Sequence, residues 1–139
     1  MPATSTEAFE PAHLDGLIAL MAAEGWSTYT EDVERTYRAL TAPGVTTLVA
    51  LVDRRVVGAI QLQSDGVIQA HLSLLLVDRQ WRGSGIGSRL LREGLERAGG
   101  VQIDIRTRAA GYYERLGASR SLGFRLTRDD LALRKADDG

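Results

Sequence analysis

The chain contains no cysteine in its 139 residues. Disulfides, thiolate metal sites and an acyl-cysteine intermediate are therefore excluded together. It contains one lysine, Lys135, near its C-terminal end. A Walker-type phosphate loop, which ends in Gly-Lys-Ser/Thr, is thereby excluded as well. No segment approaches the roughly 20 apolar residues that a membrane span needs. The first residues, Met1 to Glu7, lack the basic start and apolar run of a signal peptide. A cytoplasmic protein without membrane contact is the expectation. Neither sign of charge dominates: the net charge is −1, so there is no general basic field to hold nucleic acid. The arginine pairs Arg106/Arg108 and Arg125/Arg128 read as solvated faces or local anion contacts. The near-exclusive use of arginine over lysine, with abundant alanine and glycine, points to a GC-rich bacterial genome.

The length suits one domain, residues 1–139, with a substantial core. A strand is expected from Ala3 to Phe9. Pro11 then opens a helix striped by Leu14, Leu17, Ile18 and Met21 and stopped by Gly25. A second helix is expected from Thr30 to Leu40, with Thr30 as N-cap and Val33, Tyr37 and Leu40 inward. Strands follow at Thr46–Val52 and Val56–Gln63, hairpinned at Asp53-Arg54-Arg55, and Ser64-Asp65-Gly66 makes a second turn. Val67–Val77 reads as a long strand. Ile86, Leu90, Leu91, Leu95 and Ala98 stripe a helix that Gly99-Gly100 closes. Val101, Ile103 and Ile105 alternate as a strand. Ala109, Tyr112, Tyr113 and Leu116 share one face of a short helix ended by Gly117, and a β tail is expected beyond it.

Between the long strand and its helix lies Asp78-Arg79-Gln80-Trp81-Arg82-Gly83-Ser84-Gly85-Ile86-Gly87-Ser88. Strand, glycine turn and helix N-terminus together aim backbone N–H groups and an arginine at one spot, an arrangement that suits a pyrophosphate. The dinucleotide fingerprint Gly-x-Gly-x-x-Gly fails, because counting from Gly83 its third glycine is Ser88. The pattern present is Arg-x-x-Gly-x-Gly, at Arg82, Gly85 and Gly87. In this loop, and in its element order, the chain resembles the GCN5-related N-acetyltransferases, the GNAT superfamily.

That resemblance implies an α/β (mixed α+β) fold. A central, mostly antiparallel mixed sheet is flanked by helices in the order β-α-α-β-β-β-α-β-α-β. It implies acetyl-CoA as cosubstrate, no metal, and an acetyl group passed directly to a primary amine. The diphosphate would lie on Arg82, Gly83, Ser84, Gly85, Ile86, Gly87 and Ser88. The backbones of Leu75 and Val77 would pair with the pantetheine arm, and the amide of Ser73 or Leu74 would polarise the thioester carbonyl.

Strand parity puts Gln69, His71, Ser73, Leu75 and Val77 on one face. Of these, His71 is the residue with base chemistry near neutrality. The run Ala70-His71-Leu72-Ser73 resembles the arylalkylamine N-acetyltransferase strand, with Ser73 in place of the second histidine of a catalytic pair. His71 is the candidate base, directly or through water, against a purely structural histidine. Gln69 stands where histone-acetylating relatives carry a glutamate. Ala109 to Ala118 matches the superfamily segment Ala-x-x-Phe-Tyr-x-x-x-Gly-Phe, whose tyrosine is often the acid, which assigns Tyr113 to protonating the thiolate; the alternative is packing alone. That match has two departures, Arg106 in place of an asparagine and Ala118 in place of a phenylalanine.

Substrate contacts are expected from Glu24, Trp26 and Tyr29 in the loop between the first helices, with Gln69 and Ser73. Glu24 would attract an ammonium, and the two aromatics would form a wall. They can equally cover the edge of the core. A small-molecule amine is the expected acceptor, with a protein or peptide amine, or a non-catalytic CoA-binding module, as alternatives. The expected state is a monomer or homodimer.

Overall fold

A computed structural model describes residues 3–137. Five strands form one sheet in sequence order: β1 (Thr4–Ala8), β2 (Val45–Val52), β3 (Arg55–Ser64), β4 (Gln69–Val77) and β5 (Gln102–Ile105). The first four pair antiparallel, and β5 lies parallel to β4. The helices are α1 (Leu14–Ala23), α2 (Ser27–Thr30), α3 (Val33–Leu40), α4 (Ile86–Ala98), α5 (Ala110–Arg115) and α6 (Arg128–Asp137). The chain divides into two compact units, Met1–Ile105 and Arg106–Gly139.

In the first unit the sheet buries both faces. On one, Leu17, Leu20 and Met21 of α1 and Leu40 of α3 pack with Val49, Leu51, Ala59, Leu74 and Leu76. On the other, Ile86 and Leu90 of α4 sit over Gly58, and Gly94 of α4 sits over Ile60 and Leu62. A Cβ added at Gly94 would stand 2.7 Å from Leu62 Cδ1, and one at Gly58 3.1 Å from the Leu76 carbonyl. These two glycines let helix and sheet approach closely. The β2–β3 hairpin turns on Asp53 and Arg54, both at positive φ (47° and 67°), the backbone that a tight two-residue loop demands.

Several expectations need correction. The helix expected from Thr30 to Leu40 begins at Val33 as α3, a separate helix, α2, takes Ser27–Thr30 from the expected loop, and the N-cap of α3 is Asp32, whose carboxylate accepts from the Arg35 amide at 3.0 Å. Thr30 cannot cap because its hydroxyl turns back to the Trp26 and Ser27 carbonyls. On α3, Thr36 is buried and donates to the Tyr29 carbonyl, while Val33 is exposed. Strand β4 begins at Gln69 rather than Val67, because the Asp65 carboxylate takes the amides of Val67, Ile68 and Gln69. Those bonds hold the Asp65 carboxyl below its ordinary pKa, first through Val67, then Ile68. A depressed carboxyl stabilises the fold at pH above the ordinary carboxylate range, and that support is lost as pH falls through the folded value. The β tail expected after Gly117 is absent among the described residues: no strand follows α5, and α6 is a helix.

Candidate active site

The strand before the glycine loop changes face partway along. Leu72 pairs with Leu62 and Leu74 with Gln61, so two adjacent β3 residues oppose three of β4, a β-bulge centred on Ser73. Adjacent residues of a strand face opposite sides. Leu72, opposite Leu62, therefore faces α4, whereas Leu74 lies in the core under α1. His71 pairs with Gln63 and shares the α1–α3 face with Gln61. Leu75, opposite Ile60, and Val77, opposite Gly58, fall on the α4 face. The expected single face of Gln69, His71, Ser73, Leu75 and Val77 is thus split: parity holds from Gln69 to Ser73 and inverts after the bulge.

The same place marks the parting of two strands. β5 pairs with β4 only from Gln69 to Leu72. From Ser73 to Val77, β4 is paired with β3 and has no strand on its other side among the described residues. Leu75 and Val77 lie in this one-sided stretch, where backbone groups are open to an extended ligand.

The chain leaves β4 through a 3₁₀ turn at Arg79–Trp81, capped by the Asp78 carboxylate, which accepts from the Gln80 amide at 2.9 Å. Gly83 and Gly85 take positive φ, 79° and 88°, a left-handed backbone that a side chain disfavours. A Cβ at either would meet nothing within 4 Å, so the surface above the loop is an open cradle. Gly85 is the N-cap residue of α4 and carries no capping side chain, which leaves the helix N-terminus open to an anion. Gly87 does not share the positive φ; it and Ser88 lie in the first turn of α4. Ile86 is buried under the loop, and the Ser84 hydroxyl donates to the Trp81 carbonyl.

Arg82 reaches back from this loop. Its Nε donates to the Val77 carbonyl at 3.0 Å and its guanidinium to the Glu24 carboxylate at 2.6 Å. Glu24 was expected to face an ammonium; its carboxylate is instead spent on Arg82. Trp26 and Tyr29 touch, with ring centroids 5.9 Å apart, and both are half-buried against the core on the α1 face.

On the α1–α3 face of β3 and β4, His71 and Gln69 are exposed. Beside Gln63, the partner of His71, opens a cleft of about 420 Å³ lined by Ala39, Pro43, Gly44, Gln61, Gln63 and Ser64. The Ser73 hydroxyl is bonded to Gln61, whose buried amide was not anticipated. The signal was present as a lone amide in the apolar run Ala59-Ile60-Gln61-Leu62. In the second unit Tyr113 is buried, its ring edge-on to Tyr112 at 5.0 Å. Burial, and then the neighbouring Tyr112, push its phenol above the ordinary tyrosine pKa. Among the described residues no group of acidic or histidine side chains has metal-site geometry, and no helix is long and apolar enough to cross a membrane.

Three solved structures illustrate the likeness of the fold. An acetyltransferase from Deinococcus radiodurans described as putative is 28% identical with a TM-score of 0.65, covering 91% of this chain and 90% of its own. A ribosomal-protein-alanine N-acetyltransferase from Brucella melitensis is 18% identical with a TM-score of 0.72, covering 91% and 99%. An aminoglycoside acetyltransferase from an uncultured soil sample, in complex with sisomicin, is 18% identical with a TM-score of 0.68, covering 89% and 95%. No curated protein matches the sequence. The family model for the acetyltransferase (GNAT) domain matches residues 6–130. With that match over an open glycine loop and a β4 strand that parts from β5, the chain belongs to the GNAT family and is an N-acetyltransferase.

Proposed function

We propose that this enzyme, a single domain over residues 1–139, transfers acetyl directly from acetyl-CoA to the primary amine of a small molecule. The carrying observation is the open cradle at Gly83 and Gly85, set at the end of a strand whose last half lacks a neighbour on one side. The cosubstrate supplies an acetyl group activated as a thioester. In this reading the amides from Gly83 to Ser88, the α4 N-terminus and Arg82 hold the pyrophosphate. Glu24 and the Val77 carbonyl fix the Arg82 guanidinium at the end of β4. The open backbone of Leu75 and the amide of Val77, whose carbonyl is taken by Arg82, hold the pantetheine arm. His71 takes the proton of the amine, directly or through water, and Tyr113, which the family pattern assigns as acid, returns one to the thiolate.

The cleft beside Gln63 favours a small acceptor. None of the residues named in its lining is charged. In this reading Gln69 and Ser73 on β4, with Trp26 and Tyr29, contact the acceptor. We place the reaction in a bacterial cytoplasm, with the enzyme as a monomer or homodimer and without metal, nucleic acid or membrane.

The test is an acceptor screen with acetyl-CoA, following release of free thiol. The panel holds arylalkylamines, polyamines, amino sugars, aminoglycosides and an alanine-terminated peptide. Fast, saturable thiol release with a small amine supports the reading. Release with the peptide alone would replace it by a protein acetyltransferase, and release with none would leave a CoA-binding module.

A further inference from the structure

Gln61 sits in the middle of β3 with 4% of its surface exposed. Its Nε2 donates to the Ala39 carbonyl of α3 at 2.9 Å. Because that carbonyl can only accept, the amide must present its nitrogen there and its oxygen on the other side. On that other side, 2.7 Å from Oε1, lies the Ser73 hydroxyl, which is also 3.1 Å from the Gln61 main-chain oxygen. Both of these neighbours are acceptors. A hydroxyl has one proton, so Ser73 donates it to Gln61 and its rotor is pinned. The lone pairs of Ser73 then remain for another donor. This happens at the bulge where β4 parts from β5, on the face that carries His71.

We propose that Gln61 is a positioning residue that fixes the Ser73 oxygen as a hydrogen-bond acceptor for an N–H of the incoming amine. This rests on the acetyl-transfer reading above. Ser73 takes no proton; it accepts one N–H bond and so turns the nitrogen lone pair, while another proton of the amine leaves to His71. Every bond donates inward toward Ala39, and the constraint passes outward: carbonyl fixes amide, amide fixes hydroxyl, hydroxyl orients amine. A hydroxyl free to rotate would offer the amine a donor as readily as an acceptor and would orient nothing.

The experiment is a double-mutant cycle of Gln61→Met and Ser73→Ala, with Ser73→Thr as the conservative variant. It is assayed with acetyl-CoA and whichever panel amine has the highest kcat/KM. One lost neutral hydrogen bond corresponds to roughly a three- to tenfold loss. Ser73→Ala should lose that much in kcat/KM for the amine, with the KM for acetyl-CoA nearly unchanged, and Ser73→Thr should recover most of it. Gln61→Met should lose a similar factor, and the double variant should be no worse than Ser73→Ala alone. Losses that multiply, or a KM for acetyl-CoA that rises in step, would overturn the proposal and leave Gln61 a packing residue.

A readout without turnover covers the case in which Gln61→Met does not fold. Hydrogen exchange of the Gln61 side-chain amide, followed by NMR in the intact protein, should show one slowly exchanging Nε2 proton in both wild type and Ser73→Ala. Fast exchange of both protons would overturn the relay. Slow exchange in an enzyme that acetylates no amine would instead overturn the acetyl-transfer reading, and with it the role of Ser73 toward an amine.

Discussion

Tyr113 and His71 are the two side chains whose proton chemistry the account uses, and their surroundings differ. His71 is exposed on β4, whereas the Tyr113 phenol is buried and held above its ordinary value of about 10. A raised pKa keeps the phenol protonated to higher pH, so an acid role survives through the range in which a thiolate forms. The expected outcome is that kcat holds into alkaline solution and falls only above the ordinary tyrosine range. Tyr113→Phe should lower kcat about 10²–10⁴-fold, with CoA affinity nearly intact. Tyr112→Phe, one residue away, should be nearly silent. Equal losses in the two variants would show that the assignment along α5 is shifted. For His71 the sign is the reverse, since a base must be unprotonated. The rate should fall on acidification, and His71→Gln should lower kcat/KM by about 10²-fold or more and erase that acidic limb. An unchanged limb would place the base elsewhere.

At the scale of elements, α4 carries the glycine loop at its N-terminus and Gly94 against the sheet. The close approach at Gly94 seats the helix, and so the height of the loop above β4. Gly94→Val would drive two methyl groups toward Leu62 and Ile60, both fully buried. Overpacking of this kind costs about 1–3 kcal/mol, which thermal unfolding should show as a Tm lower by several degrees. An unchanged Tm would mean that the helix can stand off without penalty. The glycine at this position reads from sequence only as a weak spot in a helix, because its purpose lies on another element. The bulge at Ser73 is hidden for the same reason. Alternation within β4 is a property of that strand, but the bulge is a property of its register against β3, and no local pattern announces it. Gln69, His71 and Ser73 therefore share one face as alternation implies, whereas Leu75 and Val77 lie on the other. The N-cap of α3 is Asp32 rather than the expected Thr30, whose hydroxyl is turned back onto the carbonyls of Trp26 and Ser27.

At the scale of the whole molecule, most elements from β1 to α5 are legible because turn residues bound them; α2 is not, since Ser27–Thr30 buries no side chain and carries no stripe. The glycine loop was legible because backbone geometry there demands glycine: Gly83 and Gly85 do take positive φ. The segment after Gly117 was not. A β tail is the expectation there, yet Leu122, Phe124 and Leu126 are exposed, and apolar residues without burial do not build a strand. The pairing of Glu24 with Arg82 was also out of reach, since it joins residues 58 positions apart through the fold. That pair ties the loop after α1 to the glycine loop before α4.

The central claim is that the Arg82–Ser88 loop holds the pyrophosphate of the coenzyme. Calorimetric titration of CoA into wild type and Gly85→Glu tests it most directly. The glutamate adds a side chain and a negative charge at the mouth of the cradle, in a backbone that disfavours any side chain. One charge-assisted hydrogen bond is worth about 1.5–3 kcal/mol, so losing even one corresponds to roughly tenfold or more. The account predicts tight binding to wild type and a loss of at least about tenfold in the variant, with the circular dichroism of the fold retained. Equal CoA affinity in the two proteins would contradict it.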